Sequence, residues 1–253
     1  MSAMTNGSNR GFGTQPVEDA VVAAPGHDDA MPPDLLDLLE KTILARGAAD
    51  FSAFLAACAA QGIDNNRIVD HFIPAAARTA GVQWCEDGLS FVDVTVAVAR
   101  LQGLLHRLSP GDDSPFDICA SAVLLVAPEG TDHTLGAEVL AEQLRRHGIY
   151  VRRVLQATPD IVVHELRRDP LDAVFVSAGQ GAPLEKIRRL VQAARTVGPN
   201  GPCVVIGGGV LEDNPDITEL TGADIATSDM AAALKACGIA IPAKDRPRAA
   251  ARA

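Results

Sequence analysis

The chain has 253 residues, of which 47% are hydrophobic, and carries a formal net charge of −10 from 32 acidic and 22 basic side chains. That length accommodates one large core or two ordinary ones, and two is the expectation. No uncharged apolar run approaches the roughly 18 residues a membrane span needs, and an acidic chain is ill suited to gripping a phosphate backbone. Neither membrane contact nor direct nucleic-acid binding is expected.

Residues 1–31 are rich in Gly, Ser, Asn, Pro and Asp without periodicity and read as a disordered arm. The opening MSAMTNGSNRGFGTQ has no apolar export segment behind a basic one, so the cytoplasm is the expected compartment. Residues 32–109 then read as a small helical bundle. PPDLLDLLEKTILARG spaces leucines three and four apart and stops at Gly47. A second helix spans about Asp50 to Gln61, and a third starts behind Asp64 as N-cap and meets a break or kink at Pro74. Ser90 caps a further helix whose Val94, Val98, Leu101, Leu105 and Leu108 share one core-facing side.

SPGDDSPFD, entered at Ser109, marks a linker over residues 110–120, after which the period changes. SAVLLVAP, YVRRVLQA, LDAVFVSAG, PCVVIGGG and ADIATSD are short β-rich runs. Helical segments at Leu135–His147, Pro159–Arg168, Pro183–Thr196, Pro215–Leu220 and Met230–Ala236 alternate with them. This predicts an α/β domain over residues 121–240, a flavodoxin-like, five-stranded parallel sheet with Rossmann-like winding and its ligand at the carboxyl ends of the strands. A basic, alanine-rich tail follows over 241–253. The five cysteines, Cys58, Cys85, Cys119, Cys203 and Cys237, are scattered and never spaced as CxxC, so free thiols are expected rather than a disulfide framework or a zinc site.

The predicted strand ends carry the candidate chemistry. A dinucleotide site wants GxGxxG in the first turn, which holds EGTDH instead. A phosphoacceptor domain wants an aspartate at the end of the third strand, where Ser177 stands. What remains is His133, with small residues at the other strand ends. A lone loop histidine is usually a surface side chain, but the spacing is distinctive: His133 precedes Gly136 by three, Ser177 follows after 40 intervening residues, and the run Gly207, Gly208, Gly209 starts after 27 more residues beyond Gly179.

That series resembles the DxHxxG, SxL and GG signature of the vitamin-B12-binding domain shared by corrinoid methyltransferases, mutases and B12 photoreceptors. The resemblance implies cobalamin as cofactor, with His133 as the lower axial ligand of cobalt, a metal that neutral imidazole suits well. It places Thr131, Asp132, Thr134, Leu135 and Gly136 around that ligand. Ser177, Gly179, Gly207, Gly208, Gly209 and Thr227 would line a tunnel for the cofactor's tail, where small side chains leave room. Two positions depart from the pattern. Thr131 replaces the aspartate that orients the imidazole, with Asp132 displaced by one, and Gly179 replaces the leucine of SxL. Losing such an orienting partner commonly costs roughly 10- to 100-fold in affinity or activity, which favours sensing over turnover.

Trp84, the single tryptophan, sits before the last bundle helix, where the family covers the cofactor's upper face; as a residue it reads equally well as core. The Glu-His pair that supplies an upper ligand in light-sensing B12 repressors is replaced by Val94 and Thr95. With TDHTLG and no DNA-binding segment ahead of the bundle, residues 33–237 are similar to the AerR/PpaA-type antirepressors of purple photosynthetic bacteria. That similarity implies a non-enzymatic, light- or redox-responsive regulator that favours hydroxocobalamin and acts on a CrtJ/PpsR-type repressor of photosystem genes. The alternatives are a corrinoid methyl-carrier subunit of a methyltransferase and a redox sensor that binds haem in place of cobalamin.

Overall fold

A computed structural model describes residues 31–109, 121–131, 134–198 and 201–241. Residues 1–30 of the expected arm, the linker, residues 242–253 of the tail, and both Asp132 and His133 lie outside the described residues. Helix α1 (Pro33–Leu44) opens on a proline, whose missing N–H costs nothing there, and buries Leu35, Leu39 and Ile43 four residues apart. Helix α2 (Ser52–Ala60) is followed by Gly62 at φ 71°. In α3 (Asn65–Arg67) the Asp64 carboxylate accepts the Arg67 N–H at 2.8 Å. The helical path then widens into a π turn, Ile68–Phe72, and returns to α geometry as α4 (Ile73–Cys85). Pro74 therefore does not break the path as its sequence implies. In a regular helix its ring would press on the carbonyl of Asp70, and the wider turn just before it provides the space.

Helix α5 (Phe91–Leu108) starts with a reciprocal cap: the Ser90 hydroxyl accepts the Asp93 N–H at 3.2 Å, and Asp93 accepts the Ser90 N–H at 3.1 Å. Its buried stripe is Ala97, Leu101, Leu104 and Leu105, with Val94 and Val98 half-buried beside it. These side chains close a bundle core around Phe54 and Phe72, whose rings meet edge-on at 5.9 Å.

The second part is a parallel sheet of order β2-β1-β3-β4-β5, built from β1 (Ala122–Pro128), β2 (Tyr150–Ala157), β3 (Ala173–Ser177), β4 (Cys203–Gly207) and β5 (Ile225–Ala226). Alternate side chains serve two cores, as the strand period of two requires. Leu124, Val126, Val174, Val176, Val204 and Ile206 pack under α7 (Pro159–Arg168), α8 (Leu184–Arg195) and α10 (Ile217–Thr221). Val123, Leu125, Phe175 and Val205 pack under α6 (Leu135–Arg146) and α11 (Met230–Ala236). A four-residue helix, α9 (Val210–Asp213), follows β4 and has no counterpart in the sequence reading.

Cys203 and Cys237 are paired as a disulfide, with their Cα atoms 5.4 Å apart, which corrects the expectation of free thiols at these two positions. They are 34 residues apart in sequence; α11 returns along the sheet and carries Cys237 to the first residue of β4. Cys58 and Cys85 are free, and burial pushes the Cys58 thiol above its ordinary pKa.

Helix α6 joins the two parts. Ala137, Ala141 and Leu144 face the sheet, whereas Leu135 and Val139 enter the bundle core. Polar contacts line the seam. Gln102 of α5 donates to the Thr134 hydroxyl at 3.1 Å and to Glu138 at 3.3 Å, His106 approaches Glu138 at 3.6 Å, and Asp70 takes Arg146 and Gln143. The pairs Gln102/Thr134 and His106/Glu138 share one offset, so α5 and α6 run side by side in the same direction. Phe91 lies 11 residues before Gln102, so the start of α5 projects about 16 Å beyond that of α6, at roughly 1.5 Å per residue.

Candidate functional site

Helices that return from a parallel sheet begin at its carboxyl edge, so the start of α6 and the loops after Pro128, Ser177, Gly207 and Ala226 meet there. The loop after β1 is held from several sides. The Glu129 N–H donates to the carbonyl of Ala157 at 3.1 Å, and Lys186 of α8 donates to the Glu129 carbonyl at 2.8 Å. Gln156 near the end of β2 accepts the Gly130 N–H at 2.6 Å and donates to the Thr131 carbonyl at 3.0 Å. Thr131 is buried and its hydroxyl donates to the Pro128 carbonyl at 2.7 Å. A hydroxyl has one proton, so Thr131 is left with acceptor capacity only. It can take an imidazole N–H, but without the charge of the aspartate it replaces.

The other sequence candidates divide by what they touch. Thr134, at the start of α6, turns its hydroxyl to Gln102, and Leu135 packs in the bundle core, so both belong to the seam. Gly136 is exposed, and a Cβ there would meet only the Ser177 hydroxyl, at 4.0 Å. Here the first turn of α6 and the end of β3 leave an open slot between them. The three glycines after β4 have a different reason to be small. A Cβ on Gly207 would stand 2.8 Å from the Thr227 carbonyl, one on Gly208 2.4 Å from the Ala178 carbonyl, and one on Gly209 3.0 Å from the Gln180 nitrogen. These glycines let three loops close on one another. Gly179 accepts the Ala182 N–H in a tight turn, and the Thr227 hydroxyl accepts from Asp229 in another.

Trp84 ends α4, away from these loops in sequence, and is 44% exposed rather than core. Its ring lies 6.3 Å from that of Phe91, itself 67% exposed, and with Val92 and Val96 they form an apolar surface on the projecting start of α5. A crevice of about 470 Å³ opens at the opposite, amino-terminal end of the sheet, between Leu166, Leu171, Val197 and Pro202. Its one carboxylate, Asp172, already accepts the Ala122 N–H, so the crevice is structural. Sequence reading missed Gln156, Lys186 and Gln102, whose roles depend on contacts across 25 to 57 residues.

Residues 121–236 match the B12 binding domain family. An uncharacterized 20.5 kDa protein of the bchF-crtJ intergenic region of Rhodobacter capsulatus is 35% identical over 162 residues, which are 63% of this chain and 84% of that protein. The chain belongs to the B12-binding superfamily. The monomethylamine corrinoid protein of Methanosarcina barkeri shares its fold, with a TM-score of 0.62 at 15% identity over 80% of this chain and 96% of that one. A cobalamin-binding protein of Desulfitobacterium hafniense aligns over 80% of this chain and 97% of its own, at 17% identity and a TM-score of 0.43.

For a B12-binding domain, the residues at the carboxyl edge fit the group. Gly136 leaves open space beside the Ser177 hydroxyl, and the held loop leads directly into the stretch that carries His133. Among the described residues no helix is long and apolar enough to cross a membrane.

Proposed function

We propose that this chain is a cobalamin-binding, light- or redox-responsive antirepressor that acts through a protein partner, a CrtJ/PpsR-type repressor, on photosystem genes. The observation that carries this reading is the 35% identical relative from the bchF-crtJ region, which shares the greater part of its length with a chain that holds a B12-binding domain. The net charge of −10 favours action through a protein rather than on DNA.

Bound corrinoid supplies a metal centre whose ligands respond to light and redox state. The chain's own residues bind and orient it. His133 would hold the metal, Thr131 would offer its oxygen as an acceptor to the imidazole N–H, and Gly136 and Ser177 would leave room for the rest of the group between α6 and β3. Trp84 at the end of α4 and Phe91 at the start of α5 would shield it. A ligand shifts a conformational equilibrium only by its affinity difference between the two states. A bulky upper group competes with that cover and a small one does not.

In darkness, adenosylcobalamin should therefore bind much more weakly than hydroxocobalamin, and His133→Ala should lose the histidine-ligated absorption spectrum. Loaded protein, but not His133→Ala, should release a CrtJ/PpsR-type repressor from its operator in a gel-shift assay. Equal dark affinities for the two cobalamins, or release that is indifferent to His133, would remove the basis of this reading.

A further inference from the structure

We infer that Gln156 is a positioning residue for the cobalt-ligand loop, a role that rests on the cobalamin reading above. Three observations converge on it. The register of β1 against β2 slips between Val126↔Val154 and Pro128↔Ala157, so β2 spends one extra residue there, as in a β-bulge. Gln156 lies in that bulge and takes φ 63°, a left-handed conformation that a residue with a Cβ adopts only when its surroundings impose it. The backbone so bent aims the side chain across at the loop after β1. There one amide makes two bonds, accepting the Gly130 N–H at 2.6 Å and donating to the Thr131 carbonyl at 3.0 Å.

The chemistry of those partners leaves the amide no freedom. A carbonyl oxygen must face the N–H, and an NH₂ must face the carbonyl. The clamp therefore fixes two consecutive residues of the backbone, and His133 is the second residue after Thr131. Gln156 itself is exposed and contributes nothing to either core, so its strained backbone has no packing rationale. Lys186 restrains Glu129 from the other side, and Gln102 holds Thr134 beyond the ligand stretch; among the described residues Gln156 is the side chain that bonds the two residues leading into it.

Gln156→Gly separates positioning from folding. Glycine takes φ 63° without strain, so the variant should melt at or above the wild-type temperature. Its hydroxocobalamin dissociation constant should nevertheless rise by about 10- to 100-fold, the usual effect of losing a group that orients a metal ligand. The electron paramagnetic resonance spectrum of the cob(II)alamin-loaded variant should show a smaller fraction with histidine-nitrogen hyperfine structure. In the unliganded protein the Gly130 amide should exchange its hydrogen at least about tenfold faster. Gln156→Asn, which tolerates the left-handed backbone but is one methylene short, should behave likewise, and serves if the glycine variant fails to fold. Gln156→Glu keeps the acceptor and loses the donor, so it should also bind more weakly than wild type. A wild type that takes up no corrinoid overturns both the reading of the site and this inference. A wild type with histidine ligation, beside a Gln156→Gly protein that binds within about twofold with the same spectrum and the same Gly130 exchange, overturns the inference alone.

Discussion

Two glycines at the carboxyl edge of the sheet are small for opposite reasons, and substitution separates them. Gly208 has φ 102°, and a Cβ there would lie 2.4 Å from the Ala178 carbonyl, closer than any real contact of that kind. Gly208→Ala must move the loop after β3 or the one after β4, and it strains a backbone that L residues avoid, at about 1–3 kcal/mol for the conformation alone. Its melting temperature should fall by several degrees, with corrinoid binding lost as a consequence. Gly136 lies in the first turn of α6 with its one neighbour at 4.0 Å. Alanine there improves helix propensity by up to about 1 kcal/mol and narrows the slot against Ser177. Gly136→Ala should therefore melt no lower than wild type yet bind hydroxocobalamin more weakly. Thermal denaturation and spectral titration of both variants check this, and a Gly136→Ala protein with unchanged affinity would mean that the slot takes no part in binding. The same scale of detail redefines Thr131. Its single proton goes to Pro128, so its hydroxyl stands as a neutral acceptor where the B12-binding pattern has a carboxylate.

Among the elements, α5 depends on how it starts, because its first turns extend past α6 and only the later ones are packed. The Asp93 carboxyl is held below its ordinary value of 3.8 by hydrogen bonds from the Ser90 side chain and then the Ser90 backbone. A lowered folded-state pKa means stabilisation that is present above the unfolded value and lost as pH falls through the folded one. Wild type should thus melt higher than Asp93→Asn from neutral pH down to about 4, and the two curves should converge below 3.8. A constant difference at all pH values would show that the charge is not involved. The start of this helix was legible in sequence because Ser90 precedes an apolar stripe, and so were the five strands, whose apolar runs must fill two cores at once. The π turn before Pro74 was not, since wider hydrogen bonding has no compositional mark. Nor was α9, four residues hidden behind a glycine run that reads as loop. Gln156 was illegible because its role arises from a slipped register between two strands, and Cys203 and Cys237 because only the path of α11 brings them together. His133, by contrast, was singled out from spacing alone, which reports a series of strand ends rather than any one contact.

At the scale of the whole molecule, α6 is both the outer layer of the sheet and a wall of the bundle, so anything that grips its first turn is felt by both parts. The seam is polar, with Glu138 buried and its Oε2 lacking a hydrogen bond, a poorer fit than either core on its flanks. The start of α5 projects beyond this seam. With Trp84 of α4 it presents Phe91, Val92 and Val96 to solvent, and a cofactor at the carboxyl edge would give these apolar side chains something to cover. Phe91→Ser tests the idea, because a residue that is 67% exposed contributes little to the unliganded fold. The change in unliganded stability should stay within about 0.5 kcal/mol. With hydroxocobalamin at 100 times the wild-type dissociation constant, wild type should gain about 2.7 kcal/mol of stability. If the ring covers the cofactor, a tenfold loss of affinity in Phe91→Ser should remove about 1.3 kcal/mol of that gain. Differential scanning calorimetry with and without cofactor measures both quantities. Equal stabilisation of the two proteins would mean that the projecting end of the bundle serves a partner protein and not the corrinoid.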